Sequence, residues 1–247
     1  MQCLMRNCDK RAYVHKAYRV LRTQVQRSLG GLPAGVMHYI GLSRLSVDVL
    51  RPYLPPGARI FFLDNPVEVP QAPPVDVARN RTVVAIGRLD PEKGVEILVK
   101  ASRLAGTEVL FVGDGPLRGL VESSGTCRVT GWLPRDQVLG ALDTARCLAF
   151  PSLWRETFGL SVAEASARGV PAIVSDICGT RVEHNITGWH VRTGDVEDLA
   201  RRLGSIRDDA RVTSAGQATY ARFWSAPPTR ERHAEGLLQI YEQALSG

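Results

Sequence analysis

Glu156 and Glu164 bracket a glycine in P-S-L-W-R-E-T-F-G-L-S-V-A-E, Pro151 to Glu164. Gly159 opens a run with helical spacing, Leu160, Ala163 and Ala167, directly after the loop that follows Pro151. The first amides of such a helix have no internal partner, and its dipole favours an anion. One carboxylate then stands before a phosphate site and the other flanks it. Carboxylates accept well from sugar hydroxyls, so the spacing suits a phosphorylated, hydroxyl-rich ligand. The same residues also suit a buried turn with a surface Glu at each end.

Other loops carry comparable chemistry. G-R-L-D-P-E-K-G, Gly87 to Gly94, holds Arg88 and Lys93 around a proline turn. Two cations there can clamp a diphosphate, or can be solvated charges on a turn. The glycines of G-D-G-P, Gly113 to Pro116, allow close backbone approach to a ligand or simply make a tight turn. In G-W-L-P, Gly131 to Pro134, Trp132 or Leu133 can cover a flat base or join the core. D-I-C-G-T, Asp176 to Thr180, is a further small-residue turn.

The elements that must position these loops are legible from Arg81 onward. Strands are expected at Thr82–Ile86, Glu108–Val112, Arg128–Thr130, Cys147–Phe150, Ala172–Ser175 and Trp189–Arg192. Helices are expected between them at Val95–Leu104, Leu117–Glu122, Arg135–Thr144, Leu160–Arg168 and Val196–Ile206. Strict alternation predicts an α/β fold, a parallel sheet with helices on both faces. Ligands in such folds bind at the carboxyl ends of strands, which is where the loops above fall. Before Arg81 lie a helix over Lys10–Leu29, strands at Val36–Leu42 and Arg59–Leu63, and a helix at Leu45–Leu54. Pro66, Pro70, Pro73 and Pro74 then mark a linker or boundary. Helices at Ala215–Trp224 and Thr229–Leu245 close the chain. The last carries Leu237, Leu238, Tyr241 and Leu245 on a face that is expected to be buried.

A chain of 247 residues can bury a full core. No apolar run long enough to span a bilayer occurs, and the first residues lack the pattern of a secretory signal. Five cysteines, three of them (Cys127, Cys147, Cys178) in or beside expected core strands, fit reduced thiols and a cytoplasmic setting. Cys3 and Cys8 alone do not make a metal site, and none is expected. The formal net charge of +6 sits wholly in residues 1–35, so a uniformly basic nucleic-acid surface is not indicated. In the first helix Val14, Ala17, Leu21, Val25 and Leu29 form an apolar stripe among Arg and Lys. That pattern suits the anionic inner face of a membrane, or a contact with a neighbouring domain.

Taken together, G-R-L-D-P-E-K-G at 87–94, V-G-D-G-P at 112–116, G-W-L-P at 131–134, P-S-L-W-R-E-T-F-G-L-S-V-A-E-A at 151–165, R-G-V-P-A-I-V-S-D at 168–176 and T-G-W-H-V at 187–191 resemble glycosyltransferase family 4, of the GT-B fold. The resemblance covers about residues 80–225. It implies a retaining, metal-independent hexosyltransferase-type enzyme that uses a nucleotide-diphosphate sugar, with no cofactor, and a glycan or lipid-linked acceptor in polysaccharide synthesis. By that resemblance Arg88 and Lys93 hold the diphosphate, and Gly159, Leu160 and Ser161 offer backbone amides beside Phe158. Glu156 binds donor-sugar hydroxyls, Glu164 the ribose, and Leu133 the base, with Gly87 and Gly113 lining the donor site.

Two departures stand out. Cys178 replaces the first glycine of the family's Gly-Gly turn, and the segment to Thr187 is shorter by two residues and lacks an acid. The family's N-terminal Rossmann-like domain is matched only by its last part. The expected division is a basic helical segment at 1–35, a remnant of the acceptor-side domain at 36–66, and a linker at 67–80. A complete nucleotide-sugar domain follows at 81–225, then a helix at 226–247 that returns to the remnant. Two functions follow: a glycosyltransferase, or a nucleotide-sugar-binding half that needs a separate N-terminal partner. A dinucleotide-dependent oxidoreductase rests on G-D-G-P-L-R-G at 113–119. That fold's second strand should end in an acid, whereas the next strand here ends at Thr130-Gly131.

Overall fold

Buried parallel strands are apolar on both faces, so they read as continuous runs of Val, Ile, Leu, Phe and Ala. Six such runs pair here: β3 (Thr82–Ile86), β4 (Val109–Val112), β5 (Cys127–Val129), β6 (Ala145–Phe150), β7 (Ala172–Ser175) and β8 (Gly188–Val191). The computed structural model describes residues 13–246. The six strands lie parallel in the order β5-β4-β3-β6-β7-β8. Preceding them are α1 (Tyr13–Ser28), β1 (His38–Gly41), α2 (Arg44–Leu50) and β2 (Arg59–Phe62), with β1 and β2 forming their own parallel pair. Around the main sheet run α3 (Val95–Ala105), α4 (Arg118–Glu122), α5 (Arg135–Asp143), α6 (Leu160–Ala167), α7 (Val196–Ser205), α8 (Asp209–Ser225) and α9 (Arg230–Leu245). Helix α3 packs with α7, and α6 with α8.

The core holds Val83, Val84, Phe111, Leu148, Ile173 and Trp189, all at most 2% exposed, with helix residues such as Leu98, Leu142 and Leu203 against them. A second small cluster joins Val67 and Val69 to Phe158 and Ala167. The proline-rich stretch is therefore pinned to the sheet domain rather than strung through solvent. Val75 N–H donates to Arg168 O at 2.9 Å, and Tyr220 O–H to Ala72 O at 2.8 Å.

Three expectations are corrected by the structure. Helix α8 begins at Asp209, not Ala215, because Asp208 caps it by accepting from Arg211 N–H at 3.2 Å. The helix expected over Leu45–Leu54 ends at Leu50, with Arg51–Tyr53 tightened into a 3-10 turn at Pro52. On α9 the packed side is that of Ile240, with Leu237 half-buried, whereas Leu238 (63%), Tyr241 (55%) and Leu245 (89%) are exposed. Amphipathic spacing marks a face but does not say what covers it. The N-terminal cysteines Cys3 and Cys8, and the start of the helix expected from Lys10, lie outside the described residues.

Candidate functional site

The chain runs outward from β3 in one direction through β4 and from β6 in the other through β7, so the order reverses between β3 and β6. A crevice opens beyond the carboxyl ends of strands at such a reversal. Its two walls are the loops after Ile86 and Phe150, which carry the Arg88–Lys93 and Glu156–Glu164 segments.

Each loop is shaped by its backbone. Gly94 sits at φ +71, and a Cβ there would lie 1.9 Å from Pro151 O. The loop after β3 can thus lie against the loop after β6 only with glycine at that position. Leu153 N–H donates to Glu92 O at 2.8 Å, and Ser152 O–H to the same carbonyl at 3.1 Å. Gly113 serves the neighbouring wall, since a Cβ there would meet Gly87 O at 2.0 Å.

This lacing brings Lys93 Nζ to 2.6 Å from Glu156 Oε1, an atom that also accepts from Ser152 O–H at 3.2 Å. Arg88 leans on the buried carboxylate of Asp90 at 2.5 Å. Glu164, in the second turn of α6, is 8% exposed, and Arg135 of α5 lies 3.3 Å from its carboxylate. Burial pushes the Glu164 carboxyl above its ordinary value, and the nearby Arg135 pulls the other way. Helix α6 starts at Gly159, at φ 75, with no side chain capping it. The first-turn amides of Leu160 and Ser161 therefore have no acceptor in the helix, which leaves them for an anion.

The structure thus brings Arg88, Lys93, Glu156 and the start of α6 to one end of the sheet. Phe158 instead turns its ring into the small cluster with Val67 and Val69, and Leu133 is half-buried against the main core beside the exposed Trp132. Gly87 and Gly113 contribute backbone at strand ends. Asp90, Ser152 and Arg135 belong to the site but were not singled out by sequence. Ser152 and Arg135 act through partners on another loop or distant in the chain, and Asp90 through Arg88 two residues before it; only the position of Ser152 directly after Pro151 hinted at its part. Despite Cys178, the turn after β7 still reaches the site: Gly179 N–H donates to Glu156 O at 2.7 Å. The Cys178 thiol is pushed up to about 11, chiefly by burial. Among the described residues, no group of three or more His, Cys, Asp or Glu is placed to hold a metal ion. No described helix is long and apolar enough to cross a membrane.

A six-stranded parallel sheet reversing between β3 and β6, flanked by helices, is a Rossmann-like unit of the GT-B class. The family profile described as "Glycosyl transferases group 1" matches residues 80–209, more than half of the chain. The chain belongs to that family. A D-inositol 3-phosphate glycosyltransferase of Nocardia farcinica is 29% identical over 230 residues, covering 83% of this chain and 49% of the relative. Sucrose-phosphate synthase from Thermosynechococcus elongatus superposes with a TM-score of 0.74 at 25% identity, covering 85% of this chain and 58% of that one. Anabaena Alr3699/HepE, solved in complex with UDP-glucose, gives 0.73 at 18% identity, over 94% of this chain and 70% of that one. The chain spans about half the length of the curated relatives it matches, or less.

Proposed function

We propose that this chain carries the donor side of a retaining, metal-independent glycosyltransferase of family 4. It moves a sugar from a nucleotide-diphosphate sugar to a glycan or lipid-linked acceptor in polysaccharide or glycoconjugate assembly. The observation that carries the reading is the Lys93–Glu156 pair, 2.6 Å apart, beside the uncapped start of α6. Breaking the anomeric C–O bond leaves charge on the departing diphosphate. Lys93, Arg88 and the amides of Leu160 and Ser161 are fixed positive groups that stabilise that charge as it develops. Glu156 then accepts from donor-sugar hydroxyls and Glu164 from the ribose.

The inositol-phosphate acceptor in the name of the Nocardia relative supports a polyol or lipid-linked acceptor, and the UDP-glucose complex makes UDP the first nucleotide to try. The stripe of α1, with Val14, Tyr18, Leu21 and Leu29 all more than 60% exposed, supports contact with anionic lipid at the cytoplasmic face of a membrane. Calorimetric titration with UDP, GDP, ADP and their sugar conjugates, in the presence of chelator, tests the donor reading. Binding of one nucleotide that is lost in Arg88→Ala/Lys93→Ala supports it. No binding by the folded chain removes it.

A second reading is a binding half that works with a separate N-terminal domain. It is favoured by exposed apolar side chains on the two-stranded unit and the helix beside it. Ile40 (43%), Phe62 (50%) and Tyr53 (69%) stand on the first, and Leu238 and Tyr241 on α9. The two are joined through His233 Nδ1 and Asp64 O at 2.7 Å. Nucleotide binding without sugar transfer to any acceptor, with transfer restored by a co-expressed N-terminal domain, selects this reading.

A further inference from the structure

The proline-rich stretch before the sheet reaches the candidate site. Val67 and Val69 are buried with Phe158 and Ala167, which bracket α6, and Leu139 of α5 packs on the same cluster. Glu68, between them, is exposed. Its carboxylate accepts from Arg230, the first residue of α9, at 2.8 Å. Its backbone carbonyl accepts from Arg135 Nη2 at 2.5 Å. The same nitrogen lies 3.3 Å from Glu164 Oε1. One guanidinium thus spans the linker and α6. Arg135 is the first residue of α5, and its side chain is 50% exposed. A long side chain in such a place is free to sample many rotamers. The Glu68 carbonyl limits that freedom and aims the guanidinium at Glu164.

Glu164 needs such a neighbour. At 8% exposure its carboxylate has little water around it. Burial favours the neutral acid, and a nearby cation favours the anion. Both act here: burial raises the Glu164 carboxyl and Arg135 lowers it. The other cations around α6 are engaged elsewhere. Arg168 pairs with Asp143 at 2.5 Å, Arg146 of β6 with Asp209 at 2.6 Å, and Arg222 of α8 with Glu183 at 2.8 Å. Helix α8 otherwise meets α6 through Thr219 on Ser166 and Trp224 on the Ala167 carbonyl. Among the described residues the Glu164 carboxylate has no partner besides Arg135, so most of its acceptor sites remain open. A ribose presents two adjacent O–H donors. An ionised carboxylate can accept both, whereas a protonated one gives up an acceptor site for a donor.

We propose that Arg135 is a positioning residue: held by the Glu68 carbonyl, it keeps Glu164 charged and oriented as the acceptor for the ribose of the donor. This role rests on the donor reading above, in which Glu164 meets the ribose. It makes residues 67–69 a support of the nucleotide site as well as a connection.

The test has two arms, both on the full chain. In the first, Glu side chains carry carbon-13, and NMR follows the Glu164 carboxyl, assigned with Glu164→Gln, across the acid range. Arg135→Met should move its titration to higher pH, and Arg135→Lys, which restores a cation, should return it most of the way. The second arm is calorimetry with UDP, GDP and ADP, and with the 2′,3′-dideoxy form of whichever binds. Arg135→Met should weaken the ribonucleotide by about tenfold at mildly acid pH and by less at alkaline pH, with the dideoxy form nearly unchanged. Arg135→Lys should again recover most of the loss. Thermal melting establishes that both variants fold. An unmoved Glu164 titration in Arg135→Met overturns the proposal and leaves the donor reading intact. So does an equal, pH-independent loss of both nucleotide forms, which marks a direct phosphate contact or a merely structural part. If the titration moves but the parent binds none of the three nucleotides, the donor reading fails and takes the ribose role with it.

Discussion

Lys93 Nζ lies 2.6 Å from Glu156 Oε1, joining the loop after β3 to the loop after β6 across the point where the sheet order reverses. The two side chains are 34% and 20% exposed. That shelter strengthens the pair beyond an ordinary surface contact, yet a ligand can still reach it. Glu156 is held in place before any ligand arrives, by Lys93 and by Ser152. Preorganisation of this kind avoids the cost of ordering groups at the moment of binding.

Lys93→Met removes the cation and releases Glu156 to a single side-chain partner, Ser152. Sugar transfer should fall by about 10²–10³-fold, the scale on which one preorganised charge-stabilising group acts. Glu156→Ala should separate differently. It should weaken UDP-glucose binding more than UDP binding, because the carboxylate is assigned to the sugar. Calorimetry with the two ligands side by side decides, and an equal loss for both would falsify the assignment.

Glu164 gives a pH signature. Its carboxyl is raised above its ordinary value of 4.5 by burial, with Arg135 only partly offsetting this. A carboxyl raised in the folded state binds its proton more tightly there than in the unfolded chain. The free energy of unfolding therefore falls as pH rises from the unfolded value through the higher folded one, and the loss is complete above it. Glu164→Gln should flatten that part of the profile, raise stability at neutral pH and weaken nucleotide binding. Urea unfolding of both proteins across the acid limb checks this, and superimposable profiles would count against it.

The close approach of the two loops rests on Gly94. Gly94→Ala forces a side chain into positive φ and sets its Cβ 1.9 Å from Pro151 O. It should cost more than about 3 kcal/mol. Gly140→Ala, in mid-helix with nothing within 4 Å of the new methyl, should instead gain about 0.5–1 kcal/mol. Denaturant midpoints of the two variants read the contrast directly.

The sheet is legible in the sequence because its strands are buried on both faces. Thr82–Ile86 and Ala172–Ser175 are apolar runs bounded by Gly, Pro or polar residues, and both appear at the expected limits. The site is half legible. Glu156, Arg88 and Lys93 announce themselves by type and by their place at strand ends. Asp90 and Arg135 do not: Asp90 reads as a solvated turn residue yet is buried beside Arg88, and the partner of Arg135, Glu164, lies on another helix. Phe158 shows the opposite limit: the motif places it beside the site, and the ring turns instead toward Val67 and Val69, which sequence assigns to a linker. Arg146 was missed altogether, since a charged residue beside an apolar run reads as the end of a strand, and its partners are some sixty residues away.

Those partners make Arg146 the last test. It is 3% exposed, and its guanidinium donates to the carbonyls of Val77, Ala78, Asn80, Ile206 and Arg207 and to Asp209 Oδ1 at 2.6 Å. One side chain thus ties the entry to β3 to the turn between α7 and α8. Arg146→Met fills much of the volume but leaves buried carbonyls without donors, which should cost about 3–5 kcal/mol. Arg146→Lys should recover only part of this, because an ammonium cannot reproduce the planar fork that reaches several carbonyls at once. Asp209→Asn should cost far less, since that side chain is 56% exposed and water can replace the lost charge. Urea midpoints for the three variants should fall in that order. A Met variant within about 1 kcal/mol of the parent would show that water reaches these carbonyls and that the arginine is not what holds the two segments together.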